Sequence, residues 1–393
     1  MNIPVINQIH IVPINLESID STCWIRRQGP AAIPQLLEEA AKTKDPADLF
    51  MKMFYIFGAF GQDGYALQMQ AKALEFRKLF RTVSPKSVNI KLLALVTDGD
   101  MMDNTPLDFL IENSDIQLEL LYVDKQISLP LNVPEHDVMF LAIGESPKNS
   151  IILDRLVKLI QMWPRPCIND PMAIKRCARD VFYRLMQSGP HIRVAHTVQK
   201  MRDEISFESE PFTIRPVGSH AGSGFVKITS QTELTAYLGS YRPEQVYYVA
   251  EFIDYQSEDG KYRKYRIALI GGRPFICHLA ISDHWIVHYF PSGMEHSEKK
   301  RQEEESEMLG FDDGFALKHA KALLFVYNSL GLDYVVIDCA QTKSGELLVF
   351  EADSGSWIHA TDPVELFPYK PAIMQKAFDA FRELLVKKIQ GMQ

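Results

Sequence analysis

Three carboxylates in the last quarter of the chain have the spacing of a metal-binding hairpin. Residues 333–341 (DYVVIDCAQ) and 346–352 (ELLVFEA) are typical of β-strands, and a Lys-Ser-Gly turn signal separates them. A turn centred on the Ser-Gly pair places Asp338 opposite Glu351, while Asp353 lies two residues further along the same face. Carboxylate oxygens at this density are ligands that suit Mg²⁺ or Mn²⁺.

Two interpretations of these carboxylates stay open. The residues around them are apolar (VVI before Asp338 and LVF before Glu351), which indicates a buried hairpin. Like charges repel one another in such a place, so a bound cation would compensate them, and we favour this interpretation. The alternative is an exposed acidic face that binds no ion.

A glycine-rich loop and a pair of cations could hold phosphates beside this hairpin. The loop 218–224 (GSHAGSG) lies between two predicted strands, with Arg215 before it and Lys227 after it. Its glycines allow backbone amides to approach an anion closely. Lys264 and Arg266 share one face of the predicted hairpin 262–281, where they could hold phosphate or carboxylate oxygens. The alternatives are an ordinary mobile hairpin and a solvated basic strand.

The segment 278–290 (HLAISDHWIVHYF) contains several further polar groups. The spacing of its histidines does not fit a zinc pair on a helix, although a metal site or a general base could be built from them. We favour a substrate pocket beside the nucleotide, lined by His278, His284, His288 and Tyr289. The nearby run of glutamates at 303–305 is predicted to be a solvated helix face.

The elements that position these residues follow from the apolar periodicity. Residues 88–170 alternate strands with helices, which predicts a parallel, doubly wound sheet. The loops 97–100 and 144–146 follow predicted strands of that sheet, where ligands collect, although solvated loops are the more ordinary outcome for each. Residues 33–80 are helical. One apolar stripe is predicted at Ile33, Leu36, Leu37 and Ala40, and another at Tyr65, Leu67, Ala71, Leu74 and Phe76.

Composition restricts the class of protein. The chain has 393 residues and a formal net charge of −8, a balance that argues against non-specific nucleic-acid binding. No 18-residue apolar run predicts a membrane span, and the first residues do not have the pattern of a signal peptide. The five scattered cysteines fit a reduced, cytoplasmic location better than a zinc cage.

Taken together and in this order, these segments resemble the ATP-grasp ligases. The resemblance covers roughly residues 88–390, and bacterial glutathione synthetase and the ribosomal-protein glutamate ligases are similar in layout. It implies a mixed α/β (α+β) ATP-grasp fold with a parallel-sheet pre-ATP-grasp domain and an N-terminal helical extension. The expected divisions are 1–85 for the helical region, 86–188 for the Rossmann-like domain and 189–393 for two ATP-grasp lobes with a hinge near 250–254.

The same resemblance implies roles for particular residues. Asp338, Glu351 and Asp353 would bind two Mg²⁺ ions (or Mn²⁺) that bridge the phosphates of ATP. Arg266 would lie near the transferred phosphate, with Lys264 and His288 as further catalytic candidates. The remaining nucleotide-binding candidates are Lys200, Arg215, Ser219, His220, Gly222, Ser223, Gly224, Glu251, Phe252, Ile253 and Asp254. Two departures from the family pattern are Arg215, where a lysine is usual, and Asp353, where an asparagine is usual.

The expected function is therefore an ATP-dependent carboxylate–amine ligase that forms an amide through an acyl phosphate and releases ADP and phosphate. Its expected partners are small-molecule carboxylates and amines, such as amino acids or peptides, with neither nucleic acid nor membrane. A protein or ribosomally made peptide substrate is an alternative, as is a non-catalytic ATP-binding module. The helical region cannot bury its own apolar face, so it packs on the rest of the protein or on a second subunit in a homodimer.

Overall fold

The chain folds as a mixed α/β protein, as the sequence predicts. The computed structural model describes residues 9–19, 29–126, 132–219, 222–289 and 291–391. Its strands are β1 His10–Val12, β2 Leu79–Val83, β3 Ile90–Val96, β4 Ile116–Tyr122, β5 Asn132–Pro134, β6 Val138–Leu141, β7 Cys167–Ile168, β8 Ile192–Arg193, β9 Thr197–Met201, β10 Phe212–Pro216, β11 Val226–Ile228, β12 Val246–Glu251, β13 Tyr262–Ile270, β14 Arg273–Ser282, β15 Tyr334–Gln341 and β16 Leu347–Asp353. Its α-helices are α1 Ile33–Lys42, α2 Ala47–Ala59, α3 Asp63–Phe76, α4 Leu107–Leu110, α5 Ser150–Gln161, α6 Pro171–Ile174, α7 Arg179–Met186, α8 Gln231–Gly239, α9 Glu298–Leu309, α10 Ala320–Leu330 and α11 Lys370–Gln390.

The predicted parallel sheet is present in the order β2-β4-β3-β6-β7. Strands β3, β4, β6 and β7 run parallel, because α4, α5 and the segments around them return the chain to the same edge. Strand β2 joins the edge antiparallel to β4, although the sequence assigned its residues to the helical region. Its alternation explains this place, since Phe80 and Thr82 are fully buried while their neighbours are partly exposed.

The N-terminal helices pack on this sheet, which selects one of the two outcomes expected for their apolar face. Met51 and Ile56 of α2 belong to the same hydrophobic core as Leu92 and Ala94 of β3. The stripe predicted for α1 is correct at Leu36 and Ala40 but wrong at Leu37, which is exposed.

The stripe predicted for α3 is wrong. Tyr65, Leu67 and Phe76 are exposed, and the buried stripe consists of Ala66, Met69, Gln70 and Ala73. Two of these four residues are alanines and one is a glutamine, so hydrophobicity by itself does not choose the buried face.

Besides a two-stranded parallel sheet of β1 and β5, two larger sheets complete the described β-structure. The smaller has the antiparallel order β11-β10-β12-β9, and Leu234 and Leu238 of α8 pack on one of its faces around Tyr247. The larger has the order β14-β13-β15-β16-β8, in which only β8 runs parallel to its neighbour. Residues 252–261 connect β12 of the smaller sheet to β13 of the larger one, at the place where the hinge is predicted.

The acidic hairpin pairs Asp338 with Glu351, as predicted, but by a different route. The strands meet at Gln341 and Leu347, which centres the turn on Ser344 rather than on the Ser344–Gly345 pair. An irregularity after Asp338 leaves Phe350 without a partner and shifts the register by one residue. Without the bulge, a turn centred on Ser344 would place Asp338 opposite Phe350. The bulge shifts the register by one residue and so restores the predicted pairing of Asp338 with Glu351.

Helix α9 departs at Glu304 from the solvated face that its run of glutamates predicts, whereas Glu303 and Glu305 are partly exposed. Glu304 is fully buried, and its carboxylate accepts hydrogen bonds from Tyr289 Oη (2.9 Å), Tyr369 Oη (2.7 Å) and the Leu279 amide (3.1 Å). The buried Lys370 ammonium lies 3.3 Å from the same carboxylate. The run of glutamates did not predict this burial, because the partners that allow it come partly from β14 and α11, which lie far away in sequence.

Among the described residues, no helix combines the length and the apolar character needed to cross a membrane.

Candidate active site

Two cavities meet between the three sheets. The first lies between the two antiparallel sheets and is mainly apolar. It is lined by Ala195, Thr213, Tyr248 and Ala250 near the smaller sheet, by residues 251–253 of the connection, and by Trp285, Ile286, Val287, Leu348 and Phe350 near the larger sheet. An apolar slot with exposed backbone at one edge suits a flat aromatic group.

The second cavity is polar and is bounded by all three sheets. Met102, Glu145 and Ser146 line it from the edge of the parallel sheet, while Ser219 lines it from the glycine-rich loop and Ser356 from the segment after β16. Hydrogen bonds hold these walls together. Thr105 Oγ1 donates to the carbonyl of Ser354 (2.8 Å), and Trp357 Nε1 donates to the carbonyl of Met101 (3.2 Å).

A charged junction joins the two cavities. We use this name for the residues that line both: Arg179, Arg215, Gly222, Tyr248, Lys264, His288, Asp338 and Glu351. It concentrates three cationic side chains, two carboxylates and an imidazole between an apolar slot and a polar chamber. Such a junction is where a triphosphate would pass from a bound base to a reacting group.

Asp338 is the most enclosed carboxylate of the junction. Lys264 Nζ donates to its Oδ2 (2.8 Å), and Arg266 donates to Oδ1 through Nε (2.8 Å) and to Oδ2 through a terminal nitrogen (3.0 Å). Burial by itself would raise the pKa of Asp338, but Arg266 and Lys264 outweigh burial and hold this pKa well below its usual value. The predicted shared face of Lys264 and Arg266 is therefore correct.

Glu351 is paired with Arg179, a residue to which the sequence analysis assigned no role. Burial would raise the pKa of Glu351, but Arg179 leads the nearby charges that keep it lowered. Arg179 is the first residue of α7 and lines both cavities. No local pattern distinguishes it from Arg176 or Arg184 nearby, so only the tertiary structure identifies it.

Cations, rather than a preformed ion cage, compensate the predicted metal ligands. Asp353 accepts hydrogen bonds from the Gly355 amide (2.7 Å) and from Ser356 Oγ (3.2 Å). In the described part of the chain, no group of three or more Asp, Glu, His or Cys side chains is arranged so that it could hold a metal ion. The donor chemistry nevertheless fits Mg²⁺, because this ion commonly takes one or two carboxylates and completes its shell with phosphates and water. Asp338 and Glu351, opposed across the hairpin, supply such a pair.

The glycine-rich loop is only partly arranged as predicted. Arg215 is buried and donates from Nε to Ser219 Oγ (3.0 Å), so the cation and the loop are one unit. Gly222 has a φ of +76°, and a Cβ on it would lie 2.6 Å from His288 Nε2, so this close approach requires glycine.

The other three loop residues predicted to bind the nucleotide are His220, Ser223 and Gly224. Ser223 is exposed, and neither it nor Gly224 is among the cavity-lining residues. The carbonyl of Gly224 accepts a hydrogen bond from Tyr237 Oη (2.7 Å), which anchors the end of the loop to α8. His220 lies outside the described residues.

The connection after β12 lies where a nucleotide base is expected. Glu251, Phe252 and Ile253 all line the apolar cavity. Lys227 Nζ lies 3.6 Å from the centroid of the Phe252 ring, so the second cation flanking the loop reaches the connection. Asp254 does not line the cavity and instead pairs with Lys343 (2.6 Å) at the surface.

Lys200 does not line either cavity. It pairs with Tyr247, whose side chain is buried in the core beneath α8, whereas Thr197 and Tyr248 face the apolar cavity. Because successive residues of a strand alternate in direction, Lys200 projects from the face opposite to Thr197.

Of the histidines predicted to line a substrate pocket, His288 lines both cavities, whereas His278 and His284 line neither. Burial, followed by the nearby Lys264 ammonium, lowers the pKa of His288. His284 is exposed, and His278 packs against Tyr289 with 4.7 Å between ring centroids. Tyr289 bonds Glu304 rather than facing a cavity.

The loop after β6 is one of the two strand ends at which the sequence predicts possible ligand contacts. Glu145 and Ser146 line the polar cavity. Asp98, at the end of β3, pairs with Lys148 and is not among the lining residues of either cavity. One of the two predicted strand ends therefore reaches the site.

Comparison with known proteins gives distant structural neighbours. No protein-family model and no curated protein matches the chain. Solved structures that are similar include D-alanine–D-alanine ligase from Bacillus anthracis complexed with ATP (11% identity, 77% of this chain and 99% of that chain, TM-score 0.47). Others are VanG D-Ala:D-Ser ligase from Enterococcus faecalis (12%, 76% and 99%, 0.47) and a RimK domain ATP-grasp protein from Sphaerobacter thermophilus DSM 20745 (13%, 75% and 99%, 0.44). At TM-scores below 0.5, neither the fold nor the activity of this chain is inferred from them.

Proposed function

We propose that this protein is an ATP-dependent carboxylate–amine ligase of the ATP-grasp type. The observation that carries the proposal is the charged junction, in which Lys264, Arg179 and Arg215 stand with Asp338 and Glu351 between an apolar slot and a polar chamber. That order of surfaces matches the order of base, phosphates and acceptor that a phosphoryl transfer from ATP requires.

The adenine base would occupy the apolar cavity, against Phe252 and between the two antiparallel sheets. Backbone groups of residues 251–253 would bind its edge, as the resemblance implies. The phosphates would then lie in the charged junction, where Arg215 and the loop from Ser219 to Gly222 neutralise and cover them.

Mg²⁺ would be held by Asp338 and Glu351 together with phosphate oxygens, with Asp353 as a further candidate. Bound there, it would supply Lewis-acid stabilisation of the charge on the transferred phosphoryl group. Lys264 and Arg266 already compensate Asp338, so this site tolerates the arrival and departure of the ion without leaving a bare buried carboxylate.

The chemistry then needs two steps. A substrate carboxylate oxygen attacks the γ-phosphorus of ATP, forming an O–P bond while the bond to ADP breaks, and Arg266 and Lys264 stabilise the charge. An amine nitrogen next attacks the acyl carbon, the C–N bond forms, and phosphate leaves with the electron pair of the broken C–O bond. His288 can take the proton of the amine, because its lowered pKa keeps the imidazole neutral.

Nucleotide turnover tests this proposal. The protein is incubated with MgATP, a pool of L- and D-amino acids and hydroxylamine, and ADP, AMP and hydroxamate are separated. We expect ADP together with hydroxamate, since hydroxylamine traps acyl phosphates. Glu351→Ala should lose both, whereas Glu346→Ala, on the same hairpin but not among the cavity-lining residues, should retain them.

Other products would contradict the proposal or redirect it. AMP in place of ADP would mean adenylation and would exclude an acyl phosphate. MgATP binding without turnover, also after a peptide pool is added, would support a non-catalytic ATP-binding module.

A further inference from the structure

Glu145 differs from every other carboxylate named at the site. Asp338, Glu351 and Asp353 each accept hydrogen bonds or ion pairs from the protein. Glu145 also lines the polar cavity, but within the described residues it has no hydrogen bond and no ion pair. Burial raises the pKa of its carboxyl group to about 7, and the nearby Arg179 offsets only part of this effect.

The position of Glu145 is nevertheless well determined. The loop that carries it begins with Gly144, whose amide donates to the carbonyl of Asp103 (2.8 Å). The fully buried Asn149 donates from Nδ2 to the carbonyl of Gly144 (3.0 Å) and from its amide to Ser146 Oγ (3.2 Å). The carboxyl group therefore stands on a fixed support and lacks a partner of its own, an arrangement typical of ligand-binding groups.

The charges around Glu145 indicate which ligand it would accept. Arg179 and Lys175 act on it from α7 and the turn before it, while Asp353 and Asp180 oppose them from β16 and α7. Arg179 already pairs with Glu351, and Lys175 pairs with Asp154 (2.6 Å), so each of these cations has another carboxylate as its partner. A phosphate or carboxylate ligand would repel Glu145, whereas an ammonium group would give it the missing ion pair.

We propose that Glu145 binds the ammonium group of the acceptor amine. This inference rests on the proposed ligase function, in which the polar cavity holds the acceptor. Glu145 lies on the parallel-sheet wall of this cavity, and the charged junction forms another part of its lining. An ammonium group held there faces the chamber in which the acyl phosphate would form, and it gives one proton to water before its nitrogen attacks the acyl carbon.

The test compares two kinds of acceptor with the same enzyme. Hydroxylamine is uncharged near neutral pH and has no ammonium group for Glu145 to bind, whereas amino acids do. Glu145→Gln should form hydroxamate within about twofold of wild type but should raise the KM for the active amino acid at least tenfold. Glu145→Asp should recover part of this loss. Asp98→Asn, a charge removal at the neighbouring strand end, should change neither activity.

Two results in active enzyme would overturn the inference. An unchanged amino-acid KM in Glu145→Gln would show that the carboxyl group does not bind the acceptor. An equal loss of hydroxamate and amino-acid ligation would place Glu145 at the nucleotide or carboxylate instead. If wild type forms neither product, the ligase proposal itself fails, and the ammonium site is then judged by binding alone.

Binding is measured without turnover by thermal unfolding in MgADP with glycinamide, which carries an ammonium group but no carboxylate. Glycinamide should raise the Tm of wild type and of Asp98→Asn but not of Glu145→Gln. An equal effect on wild type and Glu145→Gln, or no effect on wild type, would contradict an ammonium site at Glu145 whatever the activity.

Discussion

Asp338 and Glu145 line one polar cavity, yet their surroundings shift their pKa values in opposite directions. Asp338 lies under two cations from β13, which more than offset the cost of burial. Glu145 comes from the parallel sheet, and there burial dominates because no group donates to it. A carboxylate whose charge the protein has already paired suits a site for metal and phosphate, while an unpaired one is available to an incoming cation.

Removing the charge of Asp338 should have the largest effect on stability. Asp338→Asn leaves Lys264 and Arg266 without their anion, so we expect the free energy of unfolding to fall by about 3–5 kcal/mol. Because the pKa of Asp338 is lowered in the folded state, its contribution is complete above about pH 4 and is lost at lower pH.

Urea unfolding at pH 7 and at pH 3 measures this difference. Asp379→Asn, which removes an exposed carboxylate on α11, should change stability by less than about 0.5 kcal/mol. A loss in Asp338→Asn that is the same at both pH values would mean that packing, not charge, causes it.

Breaking the buried ion pair of Lys370 and Glu304 should have an intermediate effect on stability. Lys370→Met should cost about 2–3 kcal/mol, less than Asp338→Asn, because Glu304 keeps three other hydrogen-bond donors. Adding Glu304→Gln should recover part of this loss, since the buried charge of Glu304 disappears, while Asp362, the other partner of Lys370 (2.7 Å), stays charged. A double-mutant cycle measures the coupling, and strictly additive losses would show that the two residues do not interact.

Glu145→Gln should do the reverse and stabilise the protein. Its pKa is raised from 4.5 to about 7, so ionisation costs the folded state stability as pH rises through that interval. We expect the variant to be more stable than wild type by about 1–2 kcal/mol at pH 8 and equal to it near pH 4.5. Thermal unfolding at both pH values checks this, and a destabilised variant at pH 8 would mean that Glu145 has a partner in the folded state.

The smallest effect is expected at the exposed pair of Asp254 and Lys343. Both side chains are substantially exposed, so Lys343→Ala should change stability by less than about 0.5 kcal/mol. If Asp254 binds the ribose, freeing it from Lys343 should lower the KM for ATP. An unchanged KM would remove Asp254 from the nucleotide site.

Sequence patterns were informative wherever a few neighbouring residues decide the outcome. The parallel sheet was predictable because buried parallel strands are continuous apolar runs. The pairing of Asp338 with Glu351 was predicted from a different turn centre, and the observed pairing depends on the bulge at Phe350. Lys264 and Arg266 were expected to share a face, since alternation along a strand is local.

Predictions failed where distant residues decide. The exposed stripe of α3 was mistaken for the buried one because hydrophobicity does not reveal which face the tertiary packing buries, here the face with Ala66 and Ala73. Glu304 was predicted to be solvated, but hydrogen bonds from Tyr289 and Tyr369 and the nearby Lys370 ammonium compensate its burial.

The sequence by itself determined the elements and the chemical types at the site: paired carboxylates on a hairpin, two cations on one strand face and a glycine-rich loop. These depend on alternation and turn chemistry over a few residues. Only the tertiary structure decided which charges meet. Arg179 pairs with Glu351 from 172 positions away, and Glu145 reaches the same cavity from another sheet without a partner. Electrostatic energy depends on distance in space and on burial, and neither quantity is a property of a local stretch of sequence.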